Sequence, residues 1–566
     1  MKTVLKYVKP YLFLVIISLI IKAAATFTEL AIPRMLAVII DVDVPSGSMS
    51  AVLRSGAIML MFALLSCILN VISNKMSAYQ TGKIIRDLRH DLFTKTVMLD
   101  TADTDRLGLS SLTARLTSDT YNVMNFLARL QRMGVRAPMM LIGGIAITLT
   151  IDVRLALVLI AVLPLVSLTV YLITKKSIPI YKKQQSCVDA LVRRVDETSS
   201  GIRVIKALSK ADYEKRRFNK TSEELINQEL KAGRLTSATK PINDFIFYMG
   251  LCATVAVGAL VSLADGVAET GKLLTFMTYF TLILNSMIMM SRMFVQASRA
   301  IASASRIEEV LLIDSSLVIT EDENKRDMPF IVFDNVTFSY NKRTPDINSL
   351  SFTLERGETL GIIGATGAGK STVANLLLRL YDPDEGHIYI DGRDIRSIPK
   401  RELHSMFGVA FQYDFIQSGT LKGNMEFSRD ISEQELERAI DVSQLREFVP
   451  SIDFASGYEI DLAGANLSGG QRQRVLIARA VAASPDILIL DDSASALDYK
   501  TDSRLRSALK DLDGVTSVII SQRVATVRSA DKILVIDEGA LVGEGTHDTL
   551  MQSCSEYAEI AKVQLG

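Results

Sequence analysis

Neither sign of charge is in excess in this chain: 63 Lys and Arg balance 63 Asp and Glu, for a formal net charge of zero. A general nucleic-acid binder is normally basic, so the balance argues against that class. Cysteine is scarce at four residues, and no two have the spacing of a metal site or a redox motif. Cys67 and Cys252 fall in apolar runs while Cys187 and Cys554 fall in polar segments, the pattern of packing thiols in a reducing compartment. Histidine also numbers four, at His90, His387, His404 and His547. There is no internal duplication, and no small-residue cleavage site follows a short apolar stretch near the N-terminus.

Apolar residues are abundant instead. They make up 48% of the 566 residues, and the mean hydropathy is +0.25. Residues 55–74, 155–174, 245–264 and 273–291 are uncharged runs near the spanning length of about 20 residues. Two further candidates are residues 11–40, interrupted by Lys22, Glu29 and Arg34, and residues 137–151, which follow Arg136. Six such runs in one half of a chain predict a membrane bundle rather than buried core helices. The long connections, residues 75–136 and 175–244, are rich in Lys and Arg and are expected in the cytoplasm. Residues 41–52 and 265–271 carry no Lys or Arg and are expected outside. The N-terminus, with Lys2, Lys6 and Lys9, then also lies inside.

A helical stretch, residues 303–312, closes the membrane half, and a polar linker follows at residues 319–328. The boundary is placed there: a six-helix transmembrane domain over residues 1–325 and a nucleotide domain over residues 326–566. In the second half, strand-like runs at residues 359–363, 487–490, 517–520 and 532–536 alternate with helical windows, predicting α/β structure with a largely parallel sheet.

Between the first of those strands and a helical window at residues 373–380 stands Gly364-Ala365-Thr366-Gly367-Ala368-Gly369-Lys370-Ser371, followed by Thr372. This is a P-loop: glycines let backbone N–H groups approach phosphates, Lys370 places its ammonium on them, and Ser371 supplies a hydroxyl for Mg²⁺. Leu467-Ser468-Gly469-Gly470-Gln471 lies about twenty residues before an apolar strand ending in Asp491-Asp492. A P-loop, an LSGGQ and an acidic strand end in that order resemble the nucleotide-binding domain of ATP-binding cassette (ABC) proteins. Residues 105–119, 197–218 and 302–307 resemble the intracellular loops and sixth-span end of multidrug-type ABC exporters, so the resemblance covers nearly the whole chain.

The resemblance implies MgATP and a role for each matching residue. Tyr340 would stack on adenine, unless it is a core aromatic on a strand. Gln412, Asp491 and Ser371 would hold Mg²⁺, and Asp498 would mark the D-loop. The segment from Leu467 to Gln471 would cover ATP held by a partner subunit, with Ser468, Gly469 and Gly470 at a helix start. Two positions depart from the family pattern. Asp492 stands where the family usually has Glu, and Gln522 where it usually has His. A misplacement of about 1 Å can cost on the order of a hundredfold in rate, and Gln cannot become a cation or relay a proton. Both changes fall on one nucleotide's catalytic flank while the signature stays intact. That pattern resembles the degenerate-site subunit of a heterodimeric exporter in a bacterial inner or plasma membrane.

Ionisable residues in spans are functional candidates by default. Glu29, Arg34 and Arg292 are therefore candidates for a substrate path, with Met287 and Met290 as polarizable apolar contacts. The expected function is ATP-driven export of amphiphilic small molecules. Lipid or peptide export, an exporter-fold importer, a slow homodimer, a non-transport ATPase and a nucleotide-gated channel remain as alternatives.

Overall fold

A computed structural model describes residues 2–265, 270–314, 317, 319–320, 328–412 and 415–565. The chain divides into two compact units, Met1–Met98 with Gly108–Ile313, and Leu99–Leu107 with Asp314–Gly566. Part of the loop expected at residues 265–271 and most of the linker, with the proposed boundary at 325/326, lie outside the described residues.

Among the described residues of the first unit, six helices are long and apolar enough to cross a membrane: Thr3–Asp43, Met49–Val97, Leu109–Ile151, Val153–Ser200, Pro241–Leu260 and Thr270–Met290. Each overlaps one of the runs seen in the sequence. The long polar connections are themselves largely helical. The second-span helix continues to Val97, the fourth to Ser200, and Ala211–Ser237 forms a further helix. Backbone hydrogen bonding within a helix leaves no polar group for lipid, and the same helix can continue into water without a break. Ser48 and Asp152 cap two of these helices, accepting from the N–H groups of Ala51 and of Arg154 and Leu155.

Helix packing in the membrane unit combines apolar and small polar contacts. Leu30, Met140, Leu159, Val166, Tyr279 and Ile283 are buried in one cluster. Pro33, inside the first span, has no N–H for the carbonyl of Glu29, and its kink region is served from the sixth span. There Tyr279 Oη donates to Leu30 O at 2.5 Å and Thr275 Oγ1 to Pro33 O at 2.9 Å. The first and second spans are joined by Lys22 Nζ to Asn70 and Asn74 Oδ1 (2.6 and 3.2 Å), Ser73 Oγ to Ser18 O (3.0 Å) and Gln80 Nε2 to Leu14 O (2.8 Å).

Two motif segments picked out in the sequence meet in this unit. Buried Asp119 accepts from Ser303 Oγ and Arg306 Nε, each at 2.8 Å, and from Arg306 Nη2. Asn122 donates to Ser303 at 3.2 Å and Arg115 pairs with Glu309 at 2.7 Å. The residue 105–119 motif and the residue 302–307 motif are thus the two halves of one clamp.

Among its described residues the second unit has three sheets, the smallest a two-stranded antiparallel pair of Gly419–Thr420 and Glu459–Ile460. Its main sheet has six strands, in the order Ala540–Gly545, Lys532–Asp537, Thr359–Ile363, Thr516–Ile520, Ile487–Asp491 and Phe407–Ala410. All neighbours are parallel except the edge pair formed by Ala540–Gly545 and Lys532–Asp537. A four-stranded antiparallel sheet, Ile347–Leu354, Ile331–Phe338, Glu385–Ile390 and Arg393–Asp394, was not legible as a separate layer. The short helix Thr101–Leu107 belongs to this unit, where Lys400 pairs with Asp100 and Tyr381 donates to Asp105.

Candidate nucleotide site

Three parallel strands deliver the site by ending side by side. Ile520 lies opposite both Ile362 and Asp491, so the loops after Ile363, Asp491 and Ile520 leave the same sheet edge. Ligand sites of parallel α/β sheets lie at that carboxyl edge. Two backbone bonds hold the loops together, from Asp492 N to Ile520 O (2.9 Å) and from Ser521 N to Ile362 O (3.1 Å).

The resulting cleft, about 280 Å³, is lined by Thr366, Gly367, Gly369, Lys370, Ser371, Thr372, Gln412, Asp491, Asp492 and Gln522, with Asp346, Ile520 and Ser521. Gly369 has φ +99°, and a Cβ there would sit 2.6 Å from Asp346 O. A Cβ on Gly364 would be 2.0 Å from Ile536 O. These glycines are required by backbone geometry, one by its dihedral and one by close approach. Helix Lys370–Leu377 starts at the cleft, so its free N–H groups face the same space.

Electrostatics in the cleft are strained by burial. Lys370 Nζ donates to Gly364 O at 3.0 Å and Ala365 O at 2.6 Å. Burial lowers the Lys370 pKa, opposed by the nearby carboxylates of Asp491 and Asp492. Both carboxyls are raised above the usual range, chiefly by burial. A hydrogen bond from Ser371 and the charge of Lys370 act the other way on Asp491, and the charges of Arg523 and Lys370 do so on Asp492. Asp492 holds a left-handed backbone with φ +47°, tolerated better by Asp than by most residues. Thr366 Oγ1 donates to Gln522 Oε1 at 3.4 Å.

Other sequence candidates sit elsewhere. Tyr340 is 45% exposed and does not line the cleft. Its hydroxyl accepts from Asn375 Nδ2 at 3.0 Å, and its ring meets Phe338 and Tyr381 edge-on with centroids 4.8 and 5.0 Å away. The signature residues Leu467, Ser468, Gly469, Gly470 and Gln471 contribute nothing to the cleft of their own chain. Ser468 caps helix Gly469–Ala482 in a reciprocal box with Gln471, with Ser468 N–H to Gln471 Oε1 at 2.9 Å. Gln473 ties this helix to the D-loop through Ser495 Oγ and the Ala496 N–H. Asp498 is the cap of helix Tyr499–Lys510, and hydrogen bonds from Thr501 lower its pKa.

In the membrane unit, Glu29 and Arg136 form a two-bond ion pair at 2.6 and 3.2 Å. Arg34 is exposed, Met287 is partly buried against the apolar cluster and Met290 is half-buried. The side chain of Arg292 lies outside the described residues. Sequence reading missed Asp346, which has no motif around it, and Arg523, which donates to Ser495 O at 2.9 Å.

A P-loop cleft in an α/β unit, joined to a six-span helical unit, defines a membrane transporter driven by ATP. The chain belongs to the ABC transporter family. The family model for the ABC transporter transmembrane region matches residues 15–287, and that for the ABC transporter matches residues 347–495. An uncharacterized ABC transporter ATP-binding protein of Bacillus subtilis, YfiB, is 32% identical over 100% of this chain and 99% of its own. One of Mycobacterium tuberculosis is 30% identical over 99% and 97%. The fold is that of a bacterial Atm1-family ABC exporter solved with ATP bound, with TM-score 0.81, 22% identity and 99% coverage of both chains. This is therefore a multi-pass membrane half-transporter that couples ATP hydrolysis to transport and pairs with a second ABC subunit.

Proposed function

We propose that the chain is the degenerate-site subunit of a heterodimeric exporter that moves amphiphilic small molecules out of the cytoplasm. The observation that carries this is the pairing of Asp492 and Gln522 in one cleft opposite Lys370. Asp492 lies at the strand end where a base must reach an attacking water, but with a side chain one methylene shorter than Glu. Gln522 can donate a hydrogen bond to a γ-phosphate but carries no titrating proton.

Ser371, Asp491 and Gln412 offer only oxygen and amide groups, and Ser371 already contacts Asp491. That donor set suits a hard cation, and when bound Mg²⁺ neutralises phosphate charge. Lys370 and the N–H groups of the P-loop bind phosphate, and Tyr340 offers a ring face to adenine. Ser468 and its helix start act on ATP held by the partner, with Asp498 and the D-loop supporting that surface. Arg34, Met287, Met290 and Arg292 are the candidates for contact with substrate. Glu29, already paired with Arg136, is a brace first. The nucleotide unit and the N-terminus lie in the cytoplasm, in keeping with the Lys and Arg bias.

Steady-state hydrolysis by the purified assembly tests the central point. Asp492→Ala should reduce turnover far less than removal of the partner's corresponding carboxylate. Equal losses would indicate a working Asp base.

A further inference from the structure

A side chain far along the sequence from every motif reaches the backbone of the Gln522 loop. Gln564, on helix Ser555–Leu565, accepts from Val524 N–H through Oε1 at 2.8 Å and donates from Nε2 to Gln522 O at 2.8 Å. Both partners are backbone groups of fixed sense, so a flipped carboxamide would lose both bonds. The helix is docked beside this loop by burial: Tyr557 and Ala561 share one cluster with Val524, Val527 and Ile363, all at most 1% exposed. Ile363 is the last residue of the strand that delivers the P-loop.

We infer that Gln564 is a positioning residue for ATP at this chain's P-loop, making the helix Ser555–Leu565 the element that sets the loop carrying Gln522. The loop is also tethered by Arg506 to Ala525 O and by Arg523 to Ser495 O. Neither tether reaches the peptide of residue 522 itself. Bonds from Ser521 N–H to Ile362 O and from Arg523 N–H to Ser521 Oγ, each 3.1 Å, fix the start of the loop, and the Gln564 carboxamide, bridging from Gln522 to Val524, helps set the distance from Gln522 to Thr366 and Lys370. The effect is on backbone, so it holds whether hydrolysis at this cleft is fast or slow. It rests on the assignment of the cleft as an ATP site.

The test uses the complete assembly in nanodiscs, as wild type and with Gln564→Ala, Gln564→Glu or Val563→Ala. Four quantities are measured: Val524 amide exchange, the dwell of radiolabelled ATP at this chain's cleft, kcat and KM. Gln564→Ala should speed Val524 exchange about fivefold to tenfold, the effect of losing one backbone-directed hydrogen bond. ATP dwell or kcat should shift by a similar factor, with KM within twofold. Gln564→Glu keeps the acceptor but places a carboxylate on the Gln522 carbonyl. It should retain Val524 protection while still altering dwell or kcat. Val563→Ala, at an 82% exposed neighbour, should change neither. Unchanged Val524 exchange in Gln564→Ala overturns the inference, as does changed exchange with dwell and kcat both at wild-type values. Lys370→Ala separates the underlying assignment: ATP retention by that variant at wild-type affinity would show that the cleft itself was misassigned.

Discussion

The nucleotide unit and the membrane unit use polar groups in opposite ways. In the nucleotide unit, Lys370, Asp491 and Asp492 are driven together into one cleft, where burial raises both carboxyls and lowers the ammonium. In the membrane unit the charges are dispersed: Lys22 is solvated by two neutral asparagines, while Glu29 pairs with Arg136 and Asp119 with Arg306. Clustered, poorly compensated charge stores free energy that a ligand can relieve, whereas matched pairs mainly fix helix positions. Chemistry is thus concentrated in one unit, while polar contacts in the other tie its helices to one another.

The largest expected effect would break this contrast at the signature. Ser468→Arg places a cation and extra bulk at the start of helix Gly469–Ala482. Turnover by the assembly should fall at least about a hundredfold while ATP binding at Lys370 persists. Survival of turnover, measured by phosphate release, would show that the signature does not serve a partner's nucleotide.

Next comes the membrane unit's clamp. Asp119→Ala removes the acceptor shared by Ser303 and Arg306, at a cost of about 2 kcal/mol, below the usual range for a buried pair because Arg306 is half exposed. Substrate-stimulated ATPase activity should fall more than basal activity. A fall of basal and stimulated rates in equal proportion, or no loss of thermal stability, would remove the clamp from the coupling path.

The smallest effect sharpens the electrostatic half of the comparison. The Asp491 carboxyl is raised in the folded state, so its contribution to stability is fully present below the ordinary carboxylate pKa. That contribution is lost as pH rises through the raised value. At neutral pH, without nucleotide, Asp491→Asn should therefore raise the unfolding temperature of the chain in detergent by about 2–4 °C. It should also abolish Mg²⁺-dependent nucleotide binding. An unchanged or lower melting temperature would mean that the carboxylate is better compensated than its burial suggests.

What could be read from sequence follows the same divide. The P-loop, the Leu467–Gln471 signature and the Asp491 strand end were legible because backbone geometry forces Gly, Ser and Asp into fixed local spacings. The six spans were legible because lipid requires about 20 apolar residues each. The Asp119–Ser303–Arg306 clamp was present only as two separate motifs, since helix packing, not spacing, brings residues 184 and 187 positions apart into contact. Gln564 carried no signal at all: a single Gln on an amphipathic helix gains meaning only from the backbone it meets. Tyr340 was placed on a motif, and the packing of its ring edge-on against Phe338 and Tyr381, with 45% of the residue exposed, was not legible there.

In the proposed heterodimer this chain's own catalytic half-site is weak and fast turnover belongs to a different subunit. The direct measurement is steady-state ATP hydrolysis by the purified chain in nanodiscs, alone and with its co-purified partner. Little hydrolysis is expected from the chain alone, and fast hydrolysis with the partner that Asp492→Ala leaves largely intact. Vigorous hydrolysis by the chain alone, abolished by Asp492→Ala, would contradict it.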